Sequence, residues 1–232
     1  MLGVVVNAVA VALGTLIGLF LKKGISERIS NAIMTVIGLT MILIGLQSAI
    51  KTENMLCVVV CLVVGTVVGE WAKIDDGLNK AGNAVKAKLS SGKEDSKFTE
   101  GFVAATLLFC IGSMTIVGAL EAGTSHDYSI YYAKSVMDFV SAIVLTSTFG
   151  VGVICSAGSV FITQGLLVLL ASSLSTVLTD SMITEMSAVG GILLLGMALN
   201  ILDLNKHGKT IRVANMIPAI ILPPLYLALA SL

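Results

Sequence analysis

The chain has 232 residues, 56% of them hydrophobic and 12% charged, with no net formal charge and a mean hydropathy of +0.99. Soluble domains carry about 25% charged residues. The composition therefore excludes a water-soluble globule and sets much of the surface against hydrocarbon.

Eight apolar runs meet the bilayer's length requirement of about 17 to 25 residues. They are 2–21, 31–50, 55–71, 102–120, 135–157, 160–178, 186–202 and 213–232. Runs this long must satisfy their backbone groups internally, so each predicts a helix. The fold class is all-α: one integral membrane domain over 1–232, a polytopic bundle of about eight transmembrane helices. The first run follows Met1 directly, without a basic leader or cleavage site, and reads as a span rather than a signal peptide. The fifth and sixth runs meet at Gly158–Ser159, a very tight turn that leaves open whether they are separate helices.

The basic residues orient this bundle. The first, third, fifth and seventh connections hold three, six, none and three of them, against one, one and none in the second, fourth and sixth. By the positive-inside rule both termini lie outside the membrane. The third connection, 73–97, is the long cytoplasmic one. Apolar residues at Trp71, Ile74, Leu78, Ala81, Val85 and Leu89, with lysines between them, predict an amphipathic helix on the inner leaflet.

Two echoes hint at an inverted-topology repeat. Ile25-Ser26-Glu27 resembles Ile183-Thr184-Glu185, and the stretch from Phe102 resembles that from Phe139. Each pairing joins helices of opposite direction, as such a repeat requires.

Mid-membrane chemistry concentrates in the fourth and fifth runs. Gly112, Ser113, Met114, Thr115 and Gly118 weaken the fourth helix, and Thr146 and Gly150 the fifth; breaks of this kind expose backbone dipoles to a solute. The alternative is close helix packing through small residues. Asp138 lies one turn inside the fifth run, where an unpaired carboxylate costs up to about 2.5 to 3.5 kcal/mol at the bilayer centre. It is either an ion site or half of a local salt bridge with Lys134, four residues earlier. Glu121, at similar depth, would make a second carboxylate beside it. Asn7, Gln47, Gln164 and Asn200 are amides within spans and read as inter-helix hydrogen bonds; Gln164 and Asn200 are also candidate ligands.

Cys57 and Cys61 share a helix face, but no third ligand joins them, and they read as small apolar filler. No metal or cofactor site is expected. Gly14/Gly18 and Gly65/Gly69 form small-xxx-small seams, within the chain or at a dimer contact. Pro218, Pro223 and Pro224 should break the last helix. Motifs of hydrolases and metalloproteases are missing, so the chain does not read as an enzyme.

With "MLGVVVNAVAVALGTLIG", "FCIGSMTIVGALEAG" and "KSVMDFVSAIVLTSTFGVGV", nearly the whole chain resembles a bacterial membrane family catalogued as domain-of-unknown-function family 554, the YdfK/YqgA-like proteins. The resemblance implies a membrane location without a mechanism, and puts Gly112, Met114, Gly118 and Asp138 in its motifs. Glu121-Ala122 stands where an amide–acid pair would follow "VGAL".

The expected function is transport or channel conduction of a small solute or ion, by alternating access of two halves, with Asp138 carrying a cation or proton. The alternatives are a structural or assembly membrane protein and, third, an intramembrane enzyme. The expected partners are the bilayer, the solute and a second copy of the chain, with no nucleic acid.

Overall fold

A computed structural model describes residues 1–22, 27–77, 80, 98–110, 113–204 and 210–230. Among them the ordered elements are helices: α1 (Leu2–Lys22), α2 (Glu27–Ala49), α3 (Met55–Ala72), α4 (Phe98–Cys110), α5 (Ser113–Thr124), α6 (Ser129–Phe149), α7 (Ile154–Leu169), α8 (Asp180–Ile201) and α9 (Pro223–Ala230). Two 3-10 segments, Gly150–Val153 and Val213–Ile221, precede α7 and α9. Most of the predicted inner-leaflet helix lies outside the described residues.

Exposure is inverted relative to a water-soluble protein. On α1, Asn7 and Thr15 are fully buried while Val5, Val9, Leu13 and Phe20 face outward, Phe20 at 76% exposure. Such an arrangement is stable only where hydrocarbon covers the outside. By length and apolarity five helical runs can cross a membrane, or seven if α4–α5 and the 3-10 segment with α9 each count as one bent span. By that criterion, among the described residues, the count falls short of the expected eight.

The shortfall arises at the expected fifth and sixth spans. Residues 129–169 form one apolar helical run with no polar break, and Gly158 and Ser159 sit inside α7, so the predicted turn there is absent. The chain nevertheless folds back. A straight helix at 1.5 Å per residue would separate Asp138 from Gln164 by about 39 Å, yet the Asn7 side-chain amide bonds both, at 2.9 and 3.2 Å. The reversal falls at Gly150, whose φ of 80° and ψ of −149° belong to a region open essentially to glycine alone. Tight turning at a 3-10 segment left no polar loop for hydropathy to detect. The returning arm α7 has 16 residues, just under the usual spanning length.

The chain divides into two compact units: Met1–Met34, Lys80–Cys110 and Met114–Val177 in the first, and Thr35–Asn79, Ile111–Ser113 and Leu178–Leu232 in the second. In the first, α1 and α6 run parallel. A Cβ on Gly3 would press on Tyr128 and Tyr131, one on Gly14 on the Phe139 carbonyl oxygen at 2.5 Å, and one on Gly18 on that of Ile143 at 2.6 Å. α7 returns alongside, bringing Gly165 against Met1 and Val4. The α4–α5 pair runs counter to α6, with Gly101 against Phe149 and Gly118 against Ile130 and Tyr131. At the start of α6 the Asp127 carboxylate accepts from both the backbone N–H and the hydroxyl of Ser129, which hold it below the usual carboxylate range.

In the second unit, α8 is antiparallel to α2: a Cβ on Gly38 would press on Leu202, and one on Gly45 would stand 2.7 Å from the Gly191 carbonyl oxygen. α3 lies antiparallel to the 3-10 segment, with Gly65 on Ala219 and Gly69 on the Asn215 carbonyl. Both glycine seams noted in the sequence are thus filled from within their own unit, and a dimer contact no longer rests on them. The last span breaks as its prolines demand: 3-10 segment and α9 meet at 40°, and the Ala219 carbonyl accepts from Leu222 N–H at 3.4 Å.

Candidate functional site

The inner face of α6 follows helical spacing. Tyr131, Lys134, Ser135, Asp138, Ala142, Leu145 and Thr146 are buried, while Val136, Met137, Val140 and Val144 face outward. Because α6 starts at Ser129, six residues before the expected boundary, Asp138 stands at the helix's midpoint rather than one turn inside it. Asp138 is only 5% exposed, as is Lys134. The Lys134 Nζ reaches Oδ1 at 3.0 Å and Oδ2 at 2.8 Å, so the pair is bidentate and locally neutral. A lone charge at this depth is expensive; pairing removes the monopole and leaves a strong buried dipole.

Asn7, the one amide of α1, donates through Nδ2 to Asp138 Oδ2 and to Gln164 Oε1 of α7. Three helices are therefore joined through a single amide. Asn7 and Gln164 are each 0% exposed. Four buried polar atoms lack a protein partner among the described residues: Asn7 Oδ1, Gln164 Nε2, Thr106 Oγ1 and Thr146 Oγ1. All four belong to the first unit, beside or along the helices that carry the ion pair.

The other expected site residues are distributed differently. Thr115 hydrogen-bonds the Phe109 carbonyl at 3.2 Å, and its own carbonyl accepts from Tyr131 Oη–H at 3.1 Å, a structural tie between α4, α5 and α6. Gly118 lets α5 approach Ile130 and Tyr131. Met114 is half-buried; Gly112 and the Ser113 side chain lie outside what the structure describes. Glu121 is not among the hydrogen-bond or ion-pair partners of Asp138, which are Lys134 and Asn7, so the expected paired carboxylates do not form. Asn200 lies in the second unit, where its side chain clasps the N–H and C=O of Ile211 at 2.9 and 2.8 Å. Gln47 is exposed. Of the four amides noted within spans, Asn7 and Gln164 join Asp138's cluster.

Glu185 escaped the sequence reading except as part of a repeat. It is 1% exposed and accepts from Thr52 Oγ1 at 2.6 Å, Glu53 N at 2.7 Å and Asn54 N at 3.0 Å. Asn54 in turn caps α3 by accepting from Cys57 N at 3.0 Å. The signal was present: a carboxylate at the edge of an apolar run, six residues past Thr179, whose side chain caps α8. Cys57 and Cys61 are buried free thiols 3.9 Å apart. Among the described residues no three potential metal ligands cluster.

A family model described as "Protein of unknown function (DUF554)" matches residues 2–228. The chain is 32% identical over 228 residues to the "Uncharacterized membrane protein YdfK" of Bacillus subtilis, covering 97% of this chain and 94% of that protein. It is likewise 32% identical over 225 residues to the "Uncharacterized protein YqgA" of Escherichia coli, covering 95% and 94%. No solved structure matches.

Proposed function

The chain belongs to the DUF554 family, and we propose that it moves a small solute across a bacterial inner membrane, with the Lys134–Asp138 pair at its transport site. The observation that carries this reading is the ion pair itself: two charges buried at the midpoint of α6 and wired to amides of α1 and α7. Hydrophobic packing of equal volume would hold three helices together at least as well, so a charged pair there suits a task other than cohesion. Intramembrane ionisable groups mark solute pathways by default.

The orientation that fits is both termini outside. The basic connections then face the cytoplasm; that orientation needs an even number of passes, with α6 and the opposed arm α7 counted separately.

Flux in proteoliposomes tests this, with a panel of monovalent ions, protons, amino acids, small organic anions and neutral solutes. The expectation is flux in the wild type that falls at least tenfold in Asp138→Asn while the protein still elutes as a folded species. Wild-type flux in that variant would remove the pair from the pathway. A second reading, a structural or assembly protein, is favoured by one fact: Asp138 is already fully neutralised by Lys134. It predicts that Asp138→Asn changes stability while no panel solute moves in either protein.

A further inference from the structure

Resting on the transport reading, we infer that the Asn7–Gln164 amide pair binds a small uncharged solute bearing adjacent hydrogen-bond donor and acceptor groups, of the primary-amide or urea class. Charge narrows the solute first. Lys134 and Asp138 cancel at 2.8 Å, so an added ion would bring an uncompensated charge into the centre of the bundle. Asp138 was expected to carry a cation; its bidentate lysine already occupies that role.

The hydrogen-bond inventory then selects the class. Asn7 Nδ2 spends its donors on Asp138 and Gln164, which leaves Asn7 Oδ1 as an unpartnered acceptor. Gln164 Oε1 receives that bond, which leaves Gln164 Nε2 as an unpartnered donor. Both residues are 0% exposed, and buried polar atoms of this kind are costly unless something meets them. The two amides are bonded to each other at 3.2 Å, and the free atoms sit on the same two amide carbons. One small molecule therefore spans both. It must donate to Asn7 Oδ1 and accept from Gln164 Nε2, which a primary amide or urea does with one N–H and one carbonyl. A monatomic cation satisfies only the first atom and an anion only the second.

The chain has two glutamines, Gln47 and Gln164, so selective 15N-glutamine labelling yields two side-chain amide signals. Gln47 is exposed, and Gln47→Met assigns the pair by elimination without touching the site. Acetamide and urea at non-denaturing millimolar levels should shift the Gln164 signal saturably, leaving Gln47 still, while sodium chloride and glycine do not. Asn7→Leu should weaken that saturation at least tenfold. A Gln164 signal unmoved by every solute would mean that a resident water alone fills the pair, and the inference would be wrong; a shift from salt or glycine of equal size would also overturn it. Flux measured on the same preparation separates the two claims. Flux without the shift removes this solute class and keeps transport, whereas the shift without flux keeps the binding site and removes transport.

Discussion

Asp138 and Lys134 lie four residues apart on one helix, and each is tolerable at mid-membrane only because of the other. Removing one partner alone leaves a buried, unpaired charge, a change that typically costs about 3 to 5 kcal/mol. Lys134→Met should therefore lower the thermal unfolding midpoint sharply, and Lys134→Met with Asp138→Leu should regain most of the loss. A double variant no more stable than the single one would show that the pair is not a neutralised unit. At Glu185 the logic is reversed, since an anion is satisfied by one hydroxyl and two backbone N–H groups with no cation among those donors. Glu185→Ala strands these donors and should cost at least about 1 to 3 kcal/mol, whereas Glu185→Gln keeps an acceptor and should lose less; denaturant unfolding in detergent ranks them. The sequence showed Asp138, Lys134 and Gln164 by their types in apolar runs and the first two by their spacing. It read Asn7 as an inter-helix hydrogen bond but hid its partners, because a hydrogen bond across 131 positions leaves no local trace. It hid Glu185 for a related reason: its partners are a turn more than 130 residues earlier.

Helices were legible where hydrophobic length alone defines them, as in α1, α2 and α3, each within a few residues of its expected bounds. They were misread where the chain reverses within an apolar run. Gly150 carries that reversal with a backbone conformation closed to side-chain-bearing residues, while Gly158, the predicted turn, has open space where a Cβ would stand. The two should respond oppositely. Gly150→Ala should destabilise by about 1 to 3 kcal/mol through backbone strain, and Gly158→Ala should be neutral or slightly stabilising, since alanine favours a helix interior by about 1 kcal/mol. Equal effects at both positions would place the turn elsewhere. The seams make a parallel case. Gly14→Val should disrupt the approach of α1 to the Phe139 carbonyl and lower the yield of folded protein, because its Cβ would stand 2.5 Å from that oxygen.

For the molecule as a whole, composition and charge distribution were enough to establish a membrane helix bundle, because hydropathy is a sum over residues and tolerates local error. They were not enough to separate a transport site from a packing device, because both are built from the same small and hydroxylated residues. The two compact units each contain a broken span, α4–α5 in one and the 3-10 segment with α9 in the other. The buried charge pair occurs in the first unit and the buried Glu185 in the second. The most direct test of the transport reading uses the double variant Lys134→Met/Asp138→Leu, which removes both charges while keeping the helix contacts neutral and filled. Reconstituted at equal density with the wild type and assayed for flux over the same solute panel, it should remain folded and transport at least tenfold more slowly. Wild-type flux from the folded double variant would contradict the account, and so would a wild-type protein that moves none of the panel.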